Sequence, residues 1–152
     1  MITIKNTQRK TKINTRKIHT QVQKILKNIG YPDFDIGIWF TTNQTLQRYN
    51  AQYRNKNKPT DILSFPYHPN LASNKKIIAK TPEDKNLGDI IISIEYVKKV
   101  ARELPISFDT HLTTILIHGI CHLIGHTHET EKDHARMQSA EKELAKIVSK
   151  LS

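Results

Sequence analysis

Three histidines, His118, His122 and His128, have a spacing that suits a metal site. On a helix, residues four apart lie one above the other on the same face, so the first two imidazoles can share one ion. Gly125 can adopt a positive φ and turn the chain back, which would bring His128 to the same point. Three imidazoles with an open fourth position are typical of catalytic zinc sites, and imidazole nitrogen suits Zn²⁺ better than Mg²⁺. The spacing therefore predicts one Zn²⁺ per chain, held by these three histidines.

Other side chains nearby compete for a place in this site. His126 also lies four residues from His122, but it follows the glycine that should end the helix, and a fourth protein ligand would make the site a closed, structural one. His111 precedes His118 by seven residues and is expected beside the ligands on the same face, whereas Cys121 faces away and is expected in the core. The remaining histidines are predicted to lie on the surface: His19, His68 and His134.

The residue after the first histidine argues against a peptidase. Zinc proteases of the H-E-x-x-H type carry a glutamate there as general base, and this chain has Gly119. Without that carboxylate the peptidase mechanism lacks its proton acceptor. A zinc-dependent peptide or amide hydrolase is therefore the less favoured alternative.

The positive charge of the chain is concentrated at one end. The net charge is +10, and residues 1–60 account for all of it, with twelve Lys and Arg against Asp33 and Asp35. A one-sided positive field attracts polyanions, which predicts a nucleic-acid partner. Within these 60 residues Arg54 is the candidate catalytic residue, because a planar guanidinium can bind a phosphate in bidentate fashion and stabilise transition-state charge.

The elements that must position these residues alternate between helices and strands. Apolar spacing predicts helices over residues 14–29, 93–104, 107–125 and 130–150, and a shorter one starting at Asn43. Strand patterns occupy residues 35–41, 61–66 and 87–94, and residues 68–86 have the composition of a long loop. The length favours one domain over residues 1–152. We expect an α+β fold with a small mixed β-sheet packed against helices, in a metalloprotease-like (zincin-like) arrangement.

The composition also bears on the cellular compartment. No apolar run approaches the length of a membrane span, and the first residues, MITIKNTQRK, lack the apolar stretch of a signal peptide. The single cysteine, Cys121, cannot form an internal disulfide, which fits a reducing compartment. These features predict a cytoplasmic protein with no membrane partner.

Three segments occur in a specific order along about half of the chain. Arg54 is followed by KPTDILSFP at residues 58–66, then by Gly-Asp-Ile in a strand at residues 88–90, and then by HGICHLIGHTH at residues 118–128. In this combination the sequence strongly resembles the YbeY family of bacterial endoribonucleases, the rRNA maturation factors. The family more often has Leu at the position of Cys121. It more often has Tyr-Asp where this chain has His126-Thr127, so a carboxylate beside the third histidine is missing here.

The resemblance implies a specific activity and setting. It implies a zinc-dependent, single-strand-specific endoribonuclease acting in late 16S rRNA 3′-end maturation and ribosome quality control. His118, His122 and His128 match the family's metal ligands, and Arg54 matches its motif arginine. The implied partners are ribosomal RNA and the small ribosomal subunit, and a ribosomal protein or a GTPase is a possible further partner. A non-catalytic, zinc-containing ribosome assembly factor is the alternative from a different class.

Overall fold

A computed structural model describes residues 1–151, which form a four-stranded mixed sheet and five α-helices. The strands are β1 (Ile2–Asn6), β2 (Asp35–Thr41), β3 (Ile62–Pro66) and β4 (Asn86–Ser93). The helices are α1 (Thr15–Asn28), α2 (Asn43–Arg54), α3 (Ile94–Glu103), α4 (Phe108–Leu123) and α5 (Glu131–Ser149). The predicted α+β class is therefore confirmed. Within the same residues, no helix is long and apolar enough to cross a membrane.

The order of the strands in the sheet is β1-β2-β4-β3. β1, β2 and β4 are parallel, whereas β3 runs antiparallel to β4 and forms one edge. Sequence analysis missed β1, because two alternating isoleucines, Ile2 and Ile4, are too short a pattern to identify a strand. Only the pairing of this segment with β2 makes it one.

The ends of the helices follow from side-chain caps that the sequence contains. Asn14, Ser93, Ser107 and Thr130 each accept a hydrogen bond from a backbone N–H in the first turn of the helix that follows. Such caps satisfy donors that have no partner inside the helix. The predicted helices and the three predicted strands accordingly agree with the observed ones to within a residue or two.

The two faces of the sheet are covered differently. Helices α1, α4 and α5 lie on one face, where the main core includes Ile36, Phe40 and Ile92. On the other face α2 packs over β3 and β4, around a small cluster of Leu46, Leu63 and Ile91. Successive residues of a strand point to opposite faces. Edge strand β3 therefore presents side chains to two separate surfaces.

Gly119 lies where α4 crosses the sheet. A Cβ atom at this position would lie 2.6 Å from Cδ1 of Ile62 and 3.1 Å from Cδ1 of Ile90. A side chain here would therefore require the ends of the Ile62 and Ile90 side chains to move, or α4 to shift away from β3 and β4. The space next to Gly119, where a peptidase of the H-E-x-x-H type has its glutamate, is thus narrowed by these two isoleucines.

Replacing Gly119 by alanine should destabilise the protein. Overpacking of this kind costs about 1–3 kcal/mol, whereas Gly→Ala in an exposed helix stabilises by roughly 1 kcal/mol. Urea denaturation of Gly119→Ala and wild type should give a lower free energy of unfolding for the variant. A variant as stable as wild type or more stable would contradict this prediction, and would mean that Ile62 and Ile90 make room for the methyl group at little cost.

Candidate metal centre

The structure brings the three predicted ligand residues together. His118 and His122 lie one turn apart on α4, and Gly125, with φ of 99°, reverses the chain so that His128 returns to them. Nε2 of His122 is 3.1 Å from Nε2 of His118 and 3.2 Å from Nε2 of His128. One ring nitrogen from each residue lies within 4.8 Å of the other two. These three histidines could hold a metal ion.

The surroundings of the rings fix which nitrogen carries the proton. Nδ1 of His122 is 2.9 Å from the carbonyl oxygen of His126, and a carbonyl can only accept, so this Nδ1 must donate. Nδ1 of His118 is 3.1 Å from a carboxylate oxygen of Glu141 and donates for the same reason. In the neutral rings Nε2 then carries no proton, and its lone pair is free to bind a cation.

Facing lone pairs need a cation between them. With Nδ1 protonated, the Nε2 atoms of His118 and His122 have no hydrogen to share across their 3.1 Å separation. A tetrahedral ion with metal–nitrogen bonds of ~2.0–2.1 Å keeps its ligand atoms about 3.3–3.4 Å apart. The spacing and the chemistry of the donor set therefore both fit a metal ion bound by three imidazoles.

Local electrostatics favour the neutral form of the central ring. Burial lowers the pKa of His122, and the neighbouring His118 lowers it further, while the carbonyl of His126 acts in the opposite direction. Neutral imidazole is the form that binds metal. Burial likewise lowers the pKa of His126.

Glu141 is a residue of this site that sequence analysis missed. It reaches His118 from α5, and its side chain is 25% exposed. The available signal was a charged residue four positions after Met137 and three before Leu144, on the face of α5 that packs inward. Carboxylates that accept from the far nitrogen of a metal-binding histidine orient the ring and raise its basicity. A carboxylate on another helix thus supports His118, the first of the three ligands.

Removing the Glu141 carboxylate should weaken metal binding. Loss of such a supporting carboxylate typically costs 10- to 100-fold in metal affinity, so Glu141→Ala should fall in roughly that range and Glu141→Gln, which keeps an acceptor, should lose less. Competition with a chromophoric chelator measures the affinity. Glu143→Ala, an exposed glutamate on the same helix, is the matched control and should bind metal like wild type. Equal affinities for Glu141→Ala and Glu143→Ala would contradict the supporting role.

The residues next to the three ligands do not supply a fourth ring to the site. His126 contributes its carbonyl rather than its ring, and within residues 1–151 its buried Nδ1 has no hydrogen-bond partner. Thr127 donates from Oγ1 to Asp133 at 3.3 Å, which ties the loop to the start of α5. Cys121 is fully buried, as expected, and burial raises the pKa of its thiol to about 12.

The outlying histidines correct two expectations. His68 was expected on the surface, but it is half-buried in the cleft beside the site, with Nε2 2.8 Å from the carbonyl oxygen of Asp84. His134 is exposed, yet its ring centroid lies 5.7 Å from that of His128. His111, expected beside the ligands, is buried in the first turn of α4, and no hydrogen bond of the described chain joins it to them. Seven residues along a helix amount to about 10 Å, which is too far for contact.

The site opens into a cleft of about 470 Å³. Arg54, the last residue of α2, lines this cleft together with Ser64 of β3 and the three histidines. The Arg54 side chain is exposed, and among residues 1–151 no salt bridge involves it. The cleft therefore combines a three-histidine metal site with a guanidinium available to an anionic ligand.

The α+β fold and the three converging histidines define a protein with a candidate metal site in an open cleft. The sequence profile of the family described as "Endoribonuclease YbeY" matches residues 3–149. The chain belongs to the YbeY endoribonuclease family, so the resemblance noted in the sequence is confirmed.

Individual relatives support this assignment over nearly the whole chain. The human endoribonuclease YbeY is 36% identical over 141 residues, which cover 93% of this chain and 84% of the human protein. The endoribonuclease YbeY of Geobacter metallireducens is 32% identical over 151 residues, covering 98% and 96% of the two chains. The solution structure of TM1509 from Thermotoga maritima superimposes with a TM-score of 0.65 at 24% identity, covering 97% of this chain and 89% of that one. At this level of identity the match shows that the two proteins share a fold.

Proposed function

We propose that residues 1–152 form one endoribonuclease domain that uses Zn²⁺ to cut single-stranded ribosomal RNA. It would act in late 16S rRNA 3′-end maturation and ribosome quality control, on the small ribosomal subunit in the cytoplasm. A ribosomal protein or a GTPase is a possible further partner. The observation that carries the proposal is the convergence of three imidazole nitrogens beside Arg54 in one cleft of a YbeY-family chain.

The proposed ligands of the ion are His118, His122 and His128. Zn²⁺ suits their donor set, since borderline metals prefer imidazole whereas Mg²⁺ prefers oxygen. A bound zinc ion supplies Lewis-acid polarisation of a phosphoryl oxygen and makes a water molecule more acidic. Glu141 and the carbonyl of His126 hold two of the rings in the tautomer that leaves Nε2 free.

The other residues of the cleft bind and orient the substrate. Arg54 presents a planar fork that matches a phosphate and stabilises the charge that develops during cleavage. Asp61 is the only carboxylate among the described residues that line the cleft, which makes it the candidate proton acceptor besides the histidines. The excess of basic residues in the first 60 positions supplies an attractive field for the rest of the RNA strand.

The geometry bears on both alternative functions. A structural zinc site would need a fourth protein ligand, and the ring of His126 is not part of the group of converging nitrogens within residues 1–151. A peptide hydrolase of the H-E-x-x-H type would need a side chain where Gly119 contacts the sheet. Both observations favour the nuclease.

The test is cleavage of an end-labelled RNA that contains both a duplex and a single-stranded tail. Metal-loaded protein should cut the tail, a chelator should stop cutting, and added Zn²⁺ should restore it. Analysis of the product ends would separate attack by water, which leaves a linear phosphate, from attack by the 2′-OH, which leaves a 2′,3′-cyclic phosphate. Binding without cutting would favour the assembly-factor alternative, and cutting that persists in chelator would contradict the metal-dependent mechanism.

A further inference from the structure

A second groove lies on the face of the sheet opposite to α4. It has a volume of about 360 Å³ and is bounded by β1, β2, β4 and α2. Its walls carry four aromatic rings, which belong to Trp39, Tyr49, Tyr53 and Phe65. The metal cleft and this groove share no lining residue among those described.

The aromatic rings of this groove form one continuous cluster. Tyr49 and Tyr53 lie parallel, with ring centroids 6.0 Å apart and an interplanar angle of 6°. Phe65 packs edge-on against Tyr53 at 5.2 Å, and Trp39 packs edge-on against Tyr49 at 6.0 Å. Tyr53 contacts two other rings of the cluster and remains 58% exposed. The cluster therefore supports this ring from behind and leaves it open to solvent.

The polar residues of the groove indicate the charge of its occupant. Nζ of Lys5 lies 4.7 Å from the centre of the Trp39 ring, at the end of the groove away from Tyr53. Asp89 is the single acidic side chain among the described lining residues. A carboxylate repels phosphate but accepts hydrogen bonds from the N–H groups of unpaired bases, the N3–H of uracil among them. An exposed aromatic ring and a cation along the same groove are the usual parts of a single-strand binding surface, the ring for a base and the cation for the backbone.

The groove and the metal cleft are lined by neighbouring residues of α2 and of edge strand β3. Tyr53 and Arg54 are consecutive residues at the end of α2, and the first lines the groove while the second lines the cleft. In β3 the same division holds, because Phe65 faces the groove while its neighbours Ser64 and Pro66 face the cleft. An extended strand could therefore pass from one surface to the other over the edge of the sheet.

We propose that this groove is a second binding surface for single-stranded RNA, on which an unpaired base stacks on Tyr53 and Lys5 neutralises a backbone phosphate. The inference rests on the proposed function, since the strand held here is the one that enters the metal cleft past Arg54. It assigns the preference for single strands to the groove, because bases inside a duplex are already stacked on their neighbours and are not free to stack on a protein ring.

Trp39 provides a direct probe of this surface. It is the only tryptophan of the chain, and it lies in the groove, so its fluorescence reports on occupancy there. The experiment titrates metal-loaded protein with a 2′-O-methyl oligouridylate of twelve nucleotides, checked on a gel to remain intact. Quenching of Trp39 should saturate with the single strand and be absent with a duplex of equal length.

Substitutions at Tyr53 separate stacking from general attraction. Tyr53→Leu should weaken binding about fivefold or more, whereas Tyr53→Phe, which keeps the ring, should bind like wild type. Lys5→Gln should weaken binding and reduce its salt dependence, while the matched control Lys146→Gln, an exposed lysine on α5, should not. Cleavage by Tyr53→Leu should show a raised KM at unchanged kcat.

The outcomes distinguish this inference from the nuclease assignment. Ring-dependent quenching with no cleavage by wild type would sustain the groove and overturn the nuclease. Normal cleavage without quenching, or equal binding by Tyr53→Leu and Tyr53→Phe, would overturn the groove and leave the nuclease intact. Either of these two results would also favour a protein rather than RNA as the occupant of the aromatic groove.

Discussion

Replacement of His122 by alanine should abolish metal binding and RNA cleavage together. Its Nε2 is the atom that lies within 3.2 Å of the Nε2 atoms of both other histidines, so its loss leaves two ligands that no longer share a neighbour. Activity should fall by at least about a thousandfold, because the chemistry that a metal ion supplies has no substitute among the side chains of the cleft. Elemental analysis should show one zinc per chain in wild type and little in the variant.

The fold of this variant should survive, which makes the test clean. The substitution removes one hydrogen bond, from Nδ1 to the carbonyl of His126, worth roughly 1 kcal/mol, and it also removes a repulsion between lone pairs. Zinc at a thousand times its dissociation constant should stabilise wild type by about 4 kcal/mol and leave His122→Ala unaffected. His19→Ala, an exposed histidine on α1, is the matched control. Equal cutting by both variants would identify a contaminating ribonuclease as the source of activity.

Replacement of Arg54 should impair cleavage while sparing the metal. The residue lines the same cleft as the histidines and is exposed, so Arg54→Ala should leave folding and zinc content unchanged. Loss of one group that stabilises transition-state charge costs about 100- to 1000-fold in kcat, and a similar loss is expected here. Arg54→Lys should recover only part of the rate, because an ammonium keeps the charge but not the bidentate fork.

Single-turnover cleavage at saturating protein measures this effect apart from RNA affinity. Arg102→Ala removes the same charge from an exposed position on α3 and should cleave at the wild-type rate. If Arg54→Ala and Arg102→Ala differ only in KM, Arg54 contributes binding rather than transition-state stabilisation. If the two variants have the same kcat and the same KM, Arg54 has no role in catalysis.

Edge strand β3 connects the two surfaces of the molecule. Its alternating side chains place Ser64 in the metal cleft and Phe65 in the aromatic groove. The alternation of a strand thus divides one short segment, ILSFP, between the metal cleft and the aromatic groove. Because the two side chains point to opposite faces of the sheet, Ser64 and Phe65 line different cavities although they are adjacent in the sequence.

Local patterns in the sequence were sufficient for the helices, three strands and the three-histidine group. Helical spacing, capping residues such as Ser107 and Thr130, and Gly125 at the turn act over a few residues and need no distant partner. For the same reason the positions of His118 and His122 on one face of α4 followed directly from their spacing. The proximity of His128 depended on a single chain reversal that a glycine makes available.

The features that sequence reasoning missed depend on contacts between distant segments. β1 becomes a strand through its pairing with β2, thirty-four residues on, and Glu141 meets His118 because α5 packs on α4. The place of His68 in the cleft and the grouping of the aromatic rings around Tyr53 also arise from packing. The sequence by itself determined which residues could bind a metal, because that chemistry is set by residue type and helical period. Only the tertiary structure decided which side chains support the ligands and which surface continues from them, because those relations are set by how the helices and strands pack against each other.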